Sequence, residues 1–148
     1  MSRCFLYKGK DLEESDIPTT ALGFIYKIVH VDTGRWYIGR KMLTSASSKM
    51  VNGKKKKIRK ESDWRTYFGS SPYLIEEMKE NGKDAYTREI ILFVSTKSQL
   101  LVAEEYYLHV SGSMFTEMSY NSNIRSKIFK KWFAKDPGFW DEMKNAGI

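Results

Sequence analysis

A chain of 148 residues, 41% hydrophobic and 14% aromatic, is sized for one domain with one packed core, which excludes wholesale disorder. Its single cysteine, Cys4, excludes an internal disulfide and a cysteine-built zinc cage, and its apolar runs fall far short of the ~20 residues that span a bilayer. The formal charge of +7 favours a polyanionic partner, nucleic acid before a membrane surface. With no signal-peptide pattern at its start, the expectation is a soluble protein of the cytoplasm.

Residues 1–22 read as an N-terminal arm. Cys4-Phe5-Leu6-Tyr7 has the composition of an edge strand, the stretch from Asp11 to Asp16 is acidic, and Pro18 stops any helix there. From Gly23 to Lys41 the sequence GFIYKIVHVDTGRWYIGRK describes two strands and a tight turn. Phe24, Tyr26, Ile28 and His30 alternate with Ile25, Lys27, Val29 and Val31. Asp32-Thr33-Gly34 supplies the turn, and Arg35 to Gly39 is again aromatic and β-branched. Antiparallel pairing carries Tyr26 and Tyr37 on neighbouring strands. Taken alone, both are ordinary sheet tyrosines.

Residues 42–61 show no hydrophobic period and read as a basic loop insertion. Six of the eight residues from 53 to 60 are cationic: Lys54, Lys55, Lys56, Lys57, Arg59 and Lys60. At that density they neutralise phosphates and release counterions, which gives salt-dependent, sequence-blind affinity for nucleic acid. A short helical turn follows, capped by Ser62 and ended by Gly69. Ser71 and Pro72 then start a helix as its N-cap and first residue, with Leu74, Ile75 and Met78 as its buried stripe and Asn81-Gly82 as its stop.

Thr87 to Val94 reads as a buried third strand, and Ser98 to Val110 as a third helix. In that helix Glu104 falls among Leu100, Leu101, Tyr107 and Leu108, with Glu105 toward the edge of the stripe. A carboxylate so placed is costly unless it is paired or holds a metal. Tyr120-Asn121 and Asn123-Ile124 follow, where an asparagine also suits a turn. Residues 125–148 form a basic amphipathic extension, helical except at Asp136-Pro137-Gly138. Ile128, Phe129, Trp132 and Phe133 supply one side of it, and Lys127, Lys130, Lys131 and Lys135 the other.

Ile25-Tyr26 behind Gly23, with an extra Phe24 between, and Tyr37-Ile38-Gly39 eleven residues after Tyr26 resemble the signature of the GIY-YIG nuclease superfamily. Hairpin, helices, third strand, a helix with a central glutamate and then Tyr-Asn come in the order of that module over residues 23–124. The blocks Trp64 to Ser71 and Tyr37 to Lys41 are similar to small phage-encoded members, which would place the protein in a host-cell cytoplasm. For the fold, the resemblance implies an α+β domain with a small three-stranded antiparallel sheet flanked by helices, followed here by a C-terminal helical extension. For activity, it implies hydrolysis of DNA phosphodiesters with one divalent ion, Mg²⁺ or Mn²⁺.

Carried over by position, Tyr26 and Tyr37 match the two motif tyrosines. Glu104 matches the metal-binding glutamate, with Glu105 as the rival alignment, and Asn121 matches the late asparagine. The arginine that usually follows the second motif falls where this chain has its basic insertion. Arg65 is the first choice for that role, with Lys41, Arg40 and Arg59 as alternatives, and Arg40 otherwise joins the insertion as a nucleic-acid contact.

These residue types suit phosphodiester hydrolysis, which needs an aligned water, a base, charge neutralisation on the phosphate and help for the leaving oxygen. A single glutamate argues for one Mg²⁺ completed by waters and a phosphate oxygen. Tyr26 is the candidate base, and its free pKa near ~10 requires a cationic neighbour to lower it. Tyr37 would position the water and phosphate, Arg65 would stabilise the transition state, and Asn121 would orient the backbone or brace the glutamate. The alternative is a basic nucleic-acid-binding module on the same fold that has lost catalysis. A weaker one is an RNA binder with stacking tyrosines. With one active site per chain, cutting both strands of a duplex takes a homodimer or two successive encounters.

Overall fold

The computed structural model describes residues 4–121 and 130–147, apart from the Lys131 side chain. The strands are β1 (Leu6–Tyr7), β2 (Lys10–Asp11), β3 (Gly23–His30), β4 (Trp36–Met42), β5 (Thr44–Val51), β6 (Lys54–Glu61) and β7 (Tyr86–Val94). The α-helices are α1 (Pro72–Asn81), α2 (Lys97–Val110) and α3 (Phe139–Ala146), with short 3-10 turns between elements.

β3 is an inner strand of the sheet, as its apolar residues on both faces require. Phe24, Tyr26 and Ile28 are buried on one side and Ile25 on the other, and antiparallel partners β4 and β7 flank it. The three-stranded antiparallel sheet expected from sequence is present as β4-β3-β7, but it is part of a larger one. The sheet has five strands in the order β2-β1-β7-β3-β4, and it is mixed, because β1 runs parallel to β7 with Leu6 beside Glu89. The acidic arm therefore contributes to the core. Phe5 is 1% exposed and packs edge-on against Phe24, 5.2 Å between centroids.

Helices cover both faces. α1 and the turn at Trp64–Thr66 close the Phe24–Tyr26–Ile28 side with Leu74, Met78, Trp64 and Phe68. α2 closes the Ile25–Ile38 side with Leu100, Ala103, Tyr107 and Leu108. The caps follow the sequence. Ser71 accepts from Leu74 N at 3.4 Å, Pro72 opens α1, and Gly82 (φ 79°) ends it. Ile75, expected in the buried stripe of α1, is 42% exposed, so that helix buries a narrower face than its composition suggests. Thr96 caps α2 by accepting from Gln99 N. At the turn before Tyr67, Asp63 takes the cap position and Ser62 assists by accepting from Trp64 N.

The basic loop expected over residues 42–61 is instead a β-hairpin. β5 and β6 pair antiparallel over their full length, from Thr44–Glu61 to Val51–Lys54, as a separate two-stranded sheet. Asn52 (φ 52°) and Gly53 (φ 76°) form its turn, both left-handed as a two-residue hairpin requires.

Of the C-terminal extension, the described part before Asp136–Gly138 is a short 3-10 turn, Lys130–Phe133, where an amphipathic helix is expected. α3 begins after Gly138 and packs Phe139 and Met143 against α2, where the Tyr107 hydroxyl donates to Met143 O at 2.9 Å. Lys127, Ile128 and Phe129 lie outside the described residues, as do Asn123 and Ile124. Among the described residues no helix is long and apolar enough to cross a membrane.

Candidate active site

β4 is the edge strand of the main sheet, and Tyr37 and Glu104 meet in a cleft at that edge while Tyr26 lies buried behind it. Strand parity places Tyr26 opposite Gly39 and Tyr37 opposite Ile28, both on the α1 side. Ile38 and Arg40 point the other way, toward α2, where Arg40 Nη1 donates to Glu104 Oε1 at 3.2 Å. A cleft of about 320 Å³ spans the edge, lined by Tyr37, Arg40, Tyr67, Ser70, Glu104 and Asn121 together with Ile38 and Leu108.

Glycine 39 is what lets the Tyr26 phenol approach this cleft. A Cβ there would stand 2.6 Å from Tyr26 Cζ and 2.9 Å from Tyr37 Cε1, closer than any packed pair of carbons. Tyr26 itself is 1% exposed, wedged among Phe5, Phe24, Tyr37 and Tyr67 with centroids 6.0–6.2 Å away. Burial holds its phenol well above the ordinary tyrosine value, and the neighbouring Tyr37, Tyr67 and Glu104 act in the same direction. Burial also raises the Tyr37 phenol, opposed by its hydrogen bond with Ser70 Oγ, 3.3 Å away.

Glu104 sits on α2 with its side chain 19% exposed. Burial raises its carboxyl above the usual carboxylate value, Arg40 pulls it back and Glu105 pushes it up again. Asn121 is used on the backbone. Its Oδ1 accepts from Ile38 N at 3.0 Å and its Nδ2 donates to Ile38 O at 2.7 Å, so one side chain pairs with the strand edge as a neighbouring strand would. The segment before it runs along β4 as well, through Trp36 N to Met118 O and Tyr120 N to Trp36 O. Ser71 Oγ donates to Tyr120 O, which joins this segment to the start of α1.

Arg65, the first choice for the arginine role, is not brought to the cleft. Its guanidinium pairs with Glu14 and with Glu61 at 2.8 Å, and it lies over the Trp64 ring. Those two carboxylates hold it firmly charged. Lys41 is on the Tyr26 side of β4, where it pairs with Asp63 at 2.5 Å and covers the Tyr67 ring at 4.0 Å. Arg59 bonds Thr44 at the base of the hairpin, with Lys54 to Lys57 and Lys60 further along it. Arg40 is the arginine that lines the cleft beside the glutamate.

Sequence reasoning also passed over Tyr67, Ser70 and Arg88. Arg88 is 3% exposed, donates to the carbonyls of Arg65 and Tyr67 (3.2 and 2.7 Å) and lies between the Phe5 and Phe68 rings. Burial brings its guanidinium down to about 10. It braces the segment that carries Tyr67 into the cleft, and only its position inside a buried strand hinted at such a use.

The family model described as "Putative endonuclease segE, GIY-YIG domain" matches residues 5–124. The chain belongs to this family. The match takes in Phe5, the core residue of the N-terminal arm, together with the basic hairpin and Asn121. No curated protein and no solved structure matches the chain.

Proposed function

We propose that this GIY-YIG domain is a divalent-metal-dependent DNA endonuclease, with Tyr26, Tyr37, Arg40 and Glu104 at its reacting centre and Asn121 as the residue that positions β4. The observation that carries the reading is a half-buried phenol, a guanidinium and a desolvated carboxylate lining one cleft at a sheet edge, with the buried Tyr26 phenol packed behind Gly39. Among the described residues no group of three or more His, Cys, Asp or Glu is arranged to cage a metal. A lone, partly buried carboxylate whose charge is disfavoured by its surroundings fits a hydrated cation, since Mg²⁺ keeps several of its own waters. Bound at Glu104, that ion (or Mn²⁺) would supply Lewis-acid polarisation of the phosphate and stabilise the departing oxygen.

The residues of the chain do the rest. Tyr37, held by Ser70, orients the water and a phosphate oxygen. Tyr26, as its phenolate, takes the water's proton as the new oxygen–phosphorus bond forms and the bond to the 3′ oxygen breaks, and the leaving 3′ oxygen takes a proton from solvent, which leaves 5′-phosphate and 3′-hydroxyl ends. Its buried phenol, held well above the ordinary value, is a poor base by itself, so it would depend on the positive charge of a cation held at Glu104. Arg40 stabilises the charge that develops on the phosphate. Lys54 to Lys57, Arg59 and Lys60 hold the DNA backbone from the hairpin.

The alternative of an inactive binding module drew its support from the missing arginine, and Arg40 beside Glu104 weakens it. Supercoiled plasmid incubated with Mg²⁺ tests the proposal. Wild type should produce nicked and linear forms whose 5′ ends carry phosphate, while Glu104→Ala and Tyr26→Phe should not. DNA binding without cutting in Mg²⁺ or Mn²⁺ would favour the module instead.

A further inference from the structure

We propose that the β5–β6 hairpin is a DNA-bending arm. Its cationic flanks straddle the phosphates of a groove, and its apolar tip, Met50 and Val51, inserts between base steps. This rests on the reading above only in taking duplex DNA as the ligand.

The hairpin forms its own sheet and is tied to the body at its base, through Ser62 N to Leu43 O (2.9 Å), Ser62 Oγ to Met42 O (2.6 Å) and the Glu61–Arg65 pair (2.8 Å). Every residue from Ser48 to Lys57 is exposed. Register assigns the charges to faces, because directly opposed residues project to the same side. Lys54, Lys56 and Lys60 share one face with Lys49, and Lys55, Lys57 and Arg59 share the other.

Lys49 stands directly opposite Lys56, and four lysines follow one another along β6. Such pairs repel in the free chain and are relieved by a polyanion. A flat anionic surface would meet one face at a time. A groove has a phosphate ribbon on each side, and that is the arrangement two cationic faces match.

The tip points to what the arm does there. Met50 is 63% exposed and Val51 39%, on either side of the arm and next to a turn whose other residues are Asn52 and Gly53. Neither apolar side chain has a place in the body of the protein. With Arg59 bonded to Thr44, the side chains left to meet base edges near the tip are lysines and Asn52, a set that reads the minor groove's degenerate pattern only coarsely. Phosphate contacts with an apolar wedge, and little base readout, is the chemistry of proteins that open the minor groove and kink the duplex by roughly 20–90°. At ~3.3 Å per residue an eight-residue ribbon reaches about 26 Å, the rise of roughly eight base pairs.

The test uses the full chain in EDTA, so that the DNA stays uncut, on a short duplex with a fluorescence-transfer pair at its ends. The wild-type complex should show transfer raised well above that of free duplex. Met50→Ser with Val51→Ser keeps every cation and should bind within about threefold of wild type, with transfer back at the free-duplex value. Met50→Leu with Val51→Leu should retain the bend, and an unchanged Tm in both pairs establishes that the fold is intact. A wild-type complex as straight as free DNA, a serine pair that bends as wild type does, or no binding at low salt would each overturn the proposal. Plasmid cutting in Mg²⁺, read separately, distinguishes the two readings: cutting without bending defeats the arm alone, and bending without cutting defeats the nuclease alone.

Discussion

Gly39→Ala isolates the contact on which the site geometry depends. The added Cβ would lie 2.6 Å from Tyr26 Cζ, whereas packed carbons sit ~3.5–4.0 Å apart, so the ring must move by about 1 Å. It has nowhere to go, being 1% exposed with Phe5, Phe24 and Tyr67 packed against it. Overpacking of this kind costs about 1–3 kcal/mol. A shift of about 1 Å in a reacting group lowers the rate by up to ~100-fold. Urea unfolding and plasmid cutting, measured side by side, should show both losses. Combining Gly39→Ala with Tyr26→Phe should recover part of the stability, because the hydroxyl is the nearest atom removed, but none of the activity. A Gly39→Ala protein as stable and as active as wild type would refute the placement of the phenol against β4.

Arg40→Ala should lower cleavage by about 100-fold or more, in the range for loss of a transition-state donor, while Arg65→Ala stays within a few-fold; equal losses, read from single-turnover rates, would restore Arg65 to the role. Asn121→Ala removes two hydrogen bonds to Ile38 and should cost about 1–3 kcal/mol in urea, with activity falling as the β4 edge loosens. Glu104→Gln should raise Tm in EDTA. Its carboxyl is raised above 4.5 in the folded chain, so its stabilising contribution is present below that value and lost as pH rises through the folded one. At neutral pH the charged form is therefore a net cost, and a calorimetric scan of the two proteins at pH 4 and pH 7 should show the gap widening at the higher pH.

The sequence carried the motif hairpin, α1 with its caps, β7 and α2 because each has a face to bury, and burial leaves a period of 2 or 3.6. The arm at residues 44–61 has no buried face, so its strands leave no period and read as loop. Its one local signal was Asn52-Gly53, the dipeptide of a two-residue hairpin turn, which the lysine run obscured. The parallel contact of β1 with β7 is two residues long and joins positions some eighty apart, beyond any local pattern. Glu104 stood out by chemistry, as a carboxylate in an apolar stripe. Choosing Arg40 over Arg65 needed geometry. Both lie within reach of the motif along the chain, and only strand parity at the edge and the Glu14 and Glu61 carboxylates separate them. Asn121 was recognisable by position, but its use as a surrogate strand on Ile38 was not.

Cleavage of end-labelled duplex under single-turnover conditions, followed across a Mg²⁺ titration, bears most directly on the central claim that one ion at Glu104 serves the two phenols. The account predicts a wild-type rate that rises with first-order dependence on Mg²⁺ and saturates, and no cutting by Glu104→Gln at any Mg²⁺ concentration. Equal rates for the two proteins, or cutting by wild type in EDTA, would contradict it.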